Sequence, residues 1–141
     1  MPGETTIQSD PAELATELEK LRKREKLLDA SEQLANMGHC EWDFENNRLL
    51  SCSDGYARIF GQSREELMLS QASWDQVLEQ LHPEDREHYA RSYRSQRQNG
   101  THEVDYRIIR ADGTLRYLHE TGLVEFDRDG KAIAAFGLVQ D

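Results

Sequence analysis

The sequence predicts an α+β fold: a five-stranded antiparallel sheet with helices on one face, preceded by a long N-terminal helix. Composition changes near residue 36, because every aromatic residue (two Trp, five Tyr and four Phe) lies at position 42 or later. After that point, two strand-like segments are followed by short helices and then by three segments with a period of two. This order is typical of an α+β layer arrangement. We therefore divide the 141 residues into a disordered N-terminus (1–11), an amphipathic coiled-coil-like helix (12–37) and a folded domain (38–141).

The charge balance limits the class of partner. The chain has 17 basic and 27 acidic residues, a formal net charge of −10, which argues against nucleic acid and anionic membrane surfaces as partners. No apolar segment has the length of a signal peptide or a membrane span. Two cysteines are too few for a disulfide scaffold. We expect a cytoplasmic protein with reduced thiols.

The N-terminal helix has a clear start signal, since Asp10-Pro11 places an N-cap residue before a proline. Its leucines repeat every seven residues with one additional leucine between them, a short and imperfect heptad stripe. We expect a homodimer held by this stripe, which consists of Leu14, Leu18, Leu21 and Leu28. The alternative is a single helix that packs on its own domain. Gly38 is expected to end the helix.

The next segments predict a hairpin and three short helices. Residues 39–44 and 48–52 are the two strands, with turn residues between them. Ser53-Asp54 can cap a short helix over residues 55–60. Ser63-x-x-Glu66 and Ser73-x-x-Gln76 are capping boxes, and each predicts the start of a further helix.

A longer helix and a meander complete the predicted domain. His82-Pro83-Glu84-Asp85-Arg86 has proline and acidic residues suited to a first helical turn, and Asn99-Gly100 is expected to end that helix. From Thr101 onward, apolar residues alternate with polar ones. Tight turns at Asp112-Gly113 and Asp129-Gly130 join three predicted strands, which end with residues 132–139. Consecutive strands with short turns predict an antiparallel meander.

An ordered set of segments resembles a PAS sensor domain over about residues 36–141. The resemblance is strongest to the subgroup with a Trp-Asp first strand and a His-Pro-Glu-Asp turn. It implies a five-stranded antiparallel sheet crossed by one longer helix, in a signalling module of bacterial sensor histidine kinases, diguanylate cyclases or chemotaxis receptors. The segments are Trp42-Asp43-Phe44, Ser53-Asp54 to Phe60-Gly61, His82 to Arg86, Tyr106-Arg107-Ile108 to Asp112-Gly113, and Gly137 to Asp141.

The resemblance also suggests where a signal leaves the domain. Members of this family often continue after the last strand with an aspartate-x-threonine motif and a coiled-coil helix. The present sequence ends on Asp141, so we expect a piece of a longer protein. We expect its C-terminal effector domain to be a histidine kinase, with a diguanylate cyclase as the alternative. Gln140 and Asp141 are the expected exit residues, and the Asp141 side chain could cap the following helix.

The sequence has no catalytic or metal-binding pattern. It lacks a Gly-x-x-x-x-Gly-Lys loop, a His-Glu-x-x-His pair and a Cys-x-x-Cys pair, which argues against nucleotide hydrolysis and a metal site. Glu65-Glu66 and Glu84-Asp85 are adjacent acids that do not face each other on a helix. We therefore expect no enzyme activity from this chain, and a small stand-alone enzyme is the weakest of three functional alternatives.

Two cofactors known from the family fit these residues poorly. Flavin-binding members that form a photoadduct need an Asn-Cys-Arg-Phe context, and neither Cys40 nor Cys52 has one. Haem-binding members often use a histidine on the long helix. His88 is adjacent to Tyr89 and should point away from the Tyr89 face of that helix, and His119 on a strand is a weaker candidate. We predict no bound cofactor, with haem and flavin both disfavoured.

An unidentified small organic ligand is the second functional alternative. Aromatic and aliphatic residues could line a space between sheet and helices, with tyrosine hydroxyls as the polar groups that orient a ligand. The competing interpretation is that these side chains fill the core. The pocket candidates are Trp42, Phe44, Ile59, Phe60, Leu78, Tyr89, Tyr93, Tyr106, Ile108 and Tyr117.

Overall fold

The computed structural model describes residues 10–141. The predicted disorder over residues 1–11 falls outside these residues, except at Asp10 and Pro11, which begin the first helix. There the Asp10 carboxylate accepts a hydrogen bond of 3.0 Å from the Ala12 amide. The elements are α1 (Pro11–Ala35), β1 (Met37–Asp43), β2 (Arg48–Cys52), α2 (Asp54–Ile59), α3 (Arg64–Ser70), α4 (Trp74–Gln80), a 3₁₀ turn (Pro83–Asp85), α5 (Arg86–Asn99), β3 (Thr101–Ile109), β4 (Leu115–Phe126) and β5 (Ala132–Gln140).

The five strands form one antiparallel sheet in the order β2-β1-β5-β4-β3. This confirms the predicted α+β fold with a long N-terminal helix. The first and last strands are neighbours near the middle of the sheet, and their register joins Met37 to Gln140. β4 pairs with β5, and β3 pairs with β4 at the edge of the sheet. The order brings the end of α1 next to the end of β5.

The end of α1 differs from the sequence prediction. The helix ends at Asn36, whose backbone has the left-handed conformation with φ of 53°, and β1 begins at Met37. Gly38 therefore lies inside β1, where a Cβ atom would be only 2.1 Å from the backbone nitrogen of Tyr56. The glycine allows close approach of β1 and α2, and it does not end a helix.

The predicted caps are present. The hydroxyl of Ser63 accepts from the Glu66 amide at 3.1 Å, and that of Ser73 accepts from the Gln76 amide at 3.2 Å. Gly100 ends α5 in the left-handed conformation, with φ of 78°. These local signals fix the helix boundaries because each satisfies backbone groups that the helix leaves unpaired.

One face of the sheet packs against the helices α2 to α5, and the core lies between these layers. Its most deeply buried apolar side chains are Leu49, Leu67, Leu81, Ile108 and Val139. A smaller cluster beside it contains Phe44, Tyr93 and Ala135. The opposite face of the sheet is open. No helix within residues 10–141 is long and apolar enough to cross a membrane.

Candidate functional site: a cavity with a buried carboxylate

A cavity of about 40 Å³ lies between the sheet and the helices. We call it the central cavity. That volume accommodates about three water molecules or a very small organic molecule. Its wall combines apolar side chains with several buried polar ones. The lining residues are Cys40, Trp42, Tyr56, Gln71, Trp74, Val77, Tyr89, Tyr93, Gln96, His102, Glu120, Gly122, Ala135, Phe136 and Gly137.

A buried carboxylate is the centre of the polar wall. Glu120 of β4 accepts hydrogen bonds from the hydroxyls of Tyr89 at 3.1 Å and Tyr106 at 2.9 Å. His102 Nε2 lies 2.5 Å from Glu120 Oε2, and Ser92 Oγ lies 2.8 Å from His102 Nδ1. This fits the tautomer that donates from Nε2 to Glu120 and accepts from the Ser92 hydroxyl. We call Glu120, Tyr89, Tyr106 and His102 the Glu120 cluster.

The tyrosines of this cluster act as hydrogen-bond donors. Burial raises the pKa of both the Tyr89 and the Tyr106 hydroxyl well above its ordinary value, and the nearby Glu120 carboxylate raises it further. Both hydroxyls therefore stay protonated at neutral pH. A carboxylate with this many donors is held rigidly, since losing one partner would leave a buried polar group unsatisfied.

A second polar chain crosses the helical side of the cavity. The hydroxyl of Tyr56 donates to Gln71 Oε1 at 3.1 Å, and Gln71 Nε2 donates to Gln80 Oε1 at 2.8 Å. Burial also raises the pKa of the Tyr56 hydroxyl well above its ordinary value. Gln71 is buried, and both ends of its amide are satisfied by these contacts.

Gln96 of α5 differs from Gln71. It is only 4% exposed and lines the central cavity. Its Oε1 atom lies 3.7 Å from the point that a Cβ at Gly122 would occupy, so the amide is directed toward β4. Within residues 10–141, the Gln96 amide forms no side-chain hydrogen bond. The Gln96 amide is therefore available to a molecule in the central cavity.

Aromatic rings close the cavity near the β1–β2 turn. Trp42 Nε1 donates to the Tyr93 hydroxyl at 2.8 Å, and Trp74 stacks on the Tyr93 ring with 3.9 Å between centroids. Arg97 lies over the Phe44 ring at 4.7 Å. These contacts limit access from this side and hold Trp42 and Tyr93 in fixed orientations.

The structure brings only part of the predicted pocket set to the cavity. Trp42, Tyr89 and Tyr93 line it, and Tyr106 reaches it through the Glu120 cluster. The others contribute to packing: Phe44 belongs to the smaller cluster, Ile59, Phe60 and Ile108 are buried in the main core, and Leu78 packs against that core.

The pocket prediction is wrong for Tyr117. It is 68% exposed and lies on the opposite face of the sheet. β4 has apolar residues on both faces, so its alternation does not show which face is buried. The pairing with β3 decides the question, because it directs Leu118 and Glu120 inward.

Four polar residues that line the cavity are outside the predicted pocket set, namely His102, Glu120, Gln71 and Gln96. The alternation of side chains along β3 and β4 contains a signal for His102 and Glu120. His102 shares a strand face with Val104, Tyr106 and Ile108, and it is the polar member of that series. Glu120 lies directly opposite Val104 in the register. Polar residues at inward positions are the signal, but they become visible only when strand faces are known.

The remaining histidines lie away from the cavity. His88 is exposed on α5, and its Nε2 lies 2.9 Å from the Asp105 carbonyl oxygen, so it points away from the cavity as predicted. His119 pairs with Asp105 on the outer face, and that carboxylate raises the pKa of the imidazole. His82 accepts from the Glu84 amide at 3.1 Å, the predicted capping role. Residues 10–141 contain no cluster of three or more potential metal ligands.

The predicted exit residues lie beside the end of α1. The Asp141 amide donates to the Asn36 carbonyl oxygen at 3.0 Å. Arg116 Nε donates to the Asp141 carboxylate at 2.7 Å, with a second contact from Nη2. Gln140 pairs with Met37. The C-cap residue of α1, the start of β1 and the end of β5 therefore form one junction.

The predicted dimerisation residues lie on a helix with little packing of its own. Leu14, Leu18, Leu21 and Leu28 are all exposed, and Glu32 is the one buried residue of α1. Glu32 contacts His39 and lies against Gly55. Residues 10–31 are exposed throughout.

Comparison with known proteins identifies the fold family. The family model described as PAS fold matches residues 49–139. No curated protein matches the chain. A sensory box histidine kinase/response regulator from Burkholderia thailandensis superimposes with a TM-score of 0.67 at 20% identity, over 81% of this chain and 82% of that chain.

Two further solved structures show the same architecture. The N-terminal domain of a diguanylate cyclase with PAS/PAC sensor from Marinobacter aquaeolei has a TM-score of 0.65 at 22% identity, over 74% of this chain and 94% of that chain. The PAS domain of a LuxR-family transcriptional regulator from Burkholderia thailandensis, solved in complex with ethanol, has a TM-score of 0.56 at 26% identity, over 77% and 90%. The similarity establishes a shared fold.

Proposed function

This chain belongs to the PAS fold family, and we propose that it is a sensory and relay module of a bacterial signal-transduction protein. In this proposal it catalyses no reaction, lies in the cytoplasm and passes a conformational signal to a C-terminal effector. The effector is a histidine kinase, with a diguanylate cyclase as the alternative. Structural neighbours that come from a histidine kinase and a diguanylate cyclase support this choice.

The observation behind the relay role is the junction of α1, β1 and β5. Asn36 and Asp141 are joined by a backbone hydrogen bond of 3.0 Å, and Met37 is paired with Gln140. A displacement of the sheet would therefore reach the end of α1 and the end of β5 together. Relay needs an element with two arrangements that the signal biases, and the junction is the natural candidate.

The experiment replaces Asp141 in the parent protein. Asp141→Ala removes the ion pair with Arg116 and should change the effector's output or its regulation while the isolated domain stays folded. Arg94→Ala is the matched control, since Arg94 is exposed on α5. Unchanged output and regulation in Asp141→Ala would contradict the relay role of this junction.

Dimerisation through α1 is part of the proposal. A helix of 25 residues is about 37 Å long, and most of it makes no contact with its own domain. A helix with its leucines in water is only marginally stable. The α1 helix of a second copy would cover the stripe formed by Leu14, Leu18, Leu21 and Leu28, and would place the two domains side by side.

A small-ligand sensor is the second candidate function, and the free amide of Gln96 is the observation that favours it. A ligand with one hydrogen-bond donor and one acceptor would pair with this amide. Native mass spectrometry of the purified protein should then show a retained adduct of low mass. The adduct should be lost in Gln96→Leu and kept in Gln98→Leu, a change at an exposed position of the same helix. A mass equal to that of the chain alone would contradict the small-ligand sensor and would favour a relay module that binds no ligand.

A further inference from the structure

The two cysteines of the chain face each other across a hairpin. Cys40 of β1 and Cys52 of β2 are direct partners in the antiparallel register. Both are free thiols, and both side chains pack against the main core. Directly opposed residues of an antiparallel pair project to the same face of the sheet. The register therefore brings the two thiols together, although the residues are separated by a turn and a β-bulge.

The neighbouring hydrogen bonds show which type of antiparallel pair Cys40 and Cys52 form. The Ser53 amide donates to the His39 carbonyl oxygen at 2.9 Å, and the His39 amide donates to Ser53 Oγ at 3.0 Å. The backbone bond from Ser53 to His39 makes residues 39 and 53 a hydrogen-bonded position, so Cys40 and Cys52 occupy the next, non-hydrogen-bonded one. Opposed Cα atoms at such positions are about 4.5 Å apart, with closely spaced side chains. Disulfides span Cα separations of roughly 4.4–6.8 Å.

We propose that Cys40 and Cys52 are a reversible disulfide site, oxidised by exchange with a low-molecular-weight disulfide such as oxidised glutathione. The Cys52 thiolate attacks one sulfur of that disulfide, forms a mixed disulfide and releases one thiol. The Cys40 thiolate then attacks Cys52 Sγ and releases the second thiol. The protein loses two hydrogen atoms, and the small disulfide is reduced to two thiols. In a reducing compartment the bond is transient, as regulatory disulfides are.

The surroundings suggest the order of the two attacks. Burial raises the pKa of Cys40 far above the usual range for a thiol. Burial also raises the pKa of Cys52, as do the Asp54 and Glu65 carboxylates. The Arg64 guanidinium opposes these effects in part, so the shift in the pKa of Cys52 is smaller than that of Cys40. Cys52 is therefore the more reactive thiol, and Cys40 is the resolving one. Both steps are slow, because a raised pKa leaves little thiolate at neutral pH.

Oxidation at this place would change the wall of the central cavity. Cys40 lines the cavity, and its Sγ lies 3.1 Å from the position of a Cβ at Gly137 in β5. The bond would also fix β1 to β2 only three residues after β1 begins at Met37. The redox state would thus act on the strand that follows α1. The disulfide does not depend on the effector proposed above, and its test is independent of it.

The test measures disulfide formation in folded and unfolded protein. The reduced chain is equilibrated with mixtures of reduced and oxidised glutathione, quenched with acid, alkylated and weighed by mass spectrometry. We expect the folded chain to lose two hydrogen atoms and both alkylation sites, without a glutathione adduct. Its equilibrium constant for the internal disulfide should exceed that of the same chain in urea by roughly tenfold or more, because the native register pre-organises the thiols.

A matched variant moves one thiol to the other face of the sheet. Cys52→Ser combined with Ser51→Cys leaves a thiol one residue away, at an exposed position opposite Glu41. This variant should retain glutathione and form no internal disulfide when folded. Four results for the wild-type chain would overturn the proposal. The chain stays reduced, it keeps glutathione on Cys52, it forms a disulfide between two chains, or its equilibrium constant for the internal disulfide is no larger in the folded state than in urea.

Discussion

Replacing Asp85 by asparagine should remove an ion pair that fastens the helical layer to the sheet. Asp85 is 8% exposed, and its carboxylate accepts three hydrogen bonds from Arg107 of β3: from the backbone amide at 2.8 Å, and from Nε and Nη2 at 2.9 Å each. Because Asp85 immediately precedes α5, the pair positions this helix over the strand. Asp85→Asn keeps the shape of the side chain and removes its charge.

The magnitude follows from the pKa of Asp85. The hydrogen bonds from Arg107 lower it from 3.8 to about 2, and a difference of one unit corresponds to about 1.4 kcal/mol. The full shift would contribute about 2 kcal/mol to the free energy of unfolding at neutral pH. Arg107 is partly exposed, and solvent screening weakens the pair, so we expect a loss of about 1–2 kcal/mol in Asp85→Asn.

The pH dependence has a defined sign. The pKa of Asp85 is lower in the folded state, so the stabilisation is complete above the unfolded value of 3.8 and disappears as the pH falls through about 2. Urea denaturation should show a constant difference between wild type and Asp85→Asn from neutral pH to about pH 5, and a shrinking difference below about pH 4. Asp129→Asn, at an exposed turn position, is the control. Equal stability of wild type and Asp85→Asn at neutral pH, or a difference that does not change with pH, would refute the reasoning.

Three further predictions concern dimerisation, the buried carboxylate and cofactors. Wild-type protein should be a dimer at tens of micromolar, by order of magnitude, and Leu21→Glu combined with Leu28→Glu should give a folded monomer by light scattering; a monomeric wild type would contradict this. Glu120→Gln should lower the free energy of unfolding by about 1–3 kcal/mol, because an amide hydrogen then faces a buried donor, whereas Glu103→Gln at an exposed position should have little effect. Expressed with haem precursor, the protein should stay colourless; a visible absorbance band that disappears in His88→Ala would show this to be wrong.

Local signals in the sequence were sufficient for the elements and their order. The capping boxes at Ser63 and Ser73 and the stop at Asn99-Gly100 depend on residues within one helical turn, and the structure confirms each of them. The short turns of the meander are likewise local. Such features are predictable because the residues that cause them are adjacent in the chain.

The errors concern features that depend on distant residues. Gly38 has the composition of a helix stop, but its role is set by the Tyr56 backbone, which leaves no space for a Cβ. Tyr117 and Leu118 are both suitable for a core, and only the register with β3 decides which one is buried. The Glu120 cluster joins residues of β3, β4 and α5. Its charged member could not be placed before the strand faces were known.

The attachment of α1 supports the relay role proposed for its junction. The one buried residue of this helix is Glu32, which contacts His39 and has an unpaired carboxylate oxygen. The end of α1 is joined to the end of the last strand by the backbone hydrogen bond from Asp141 to Asn36. The described part of α1 is thus held by polar contacts rather than by an apolar face, and polar contacts lose their partners with small displacements. A change at the ends of β1 and β5 would therefore alter the direction of the helix, whereas the core between sheet and helices would stay packed.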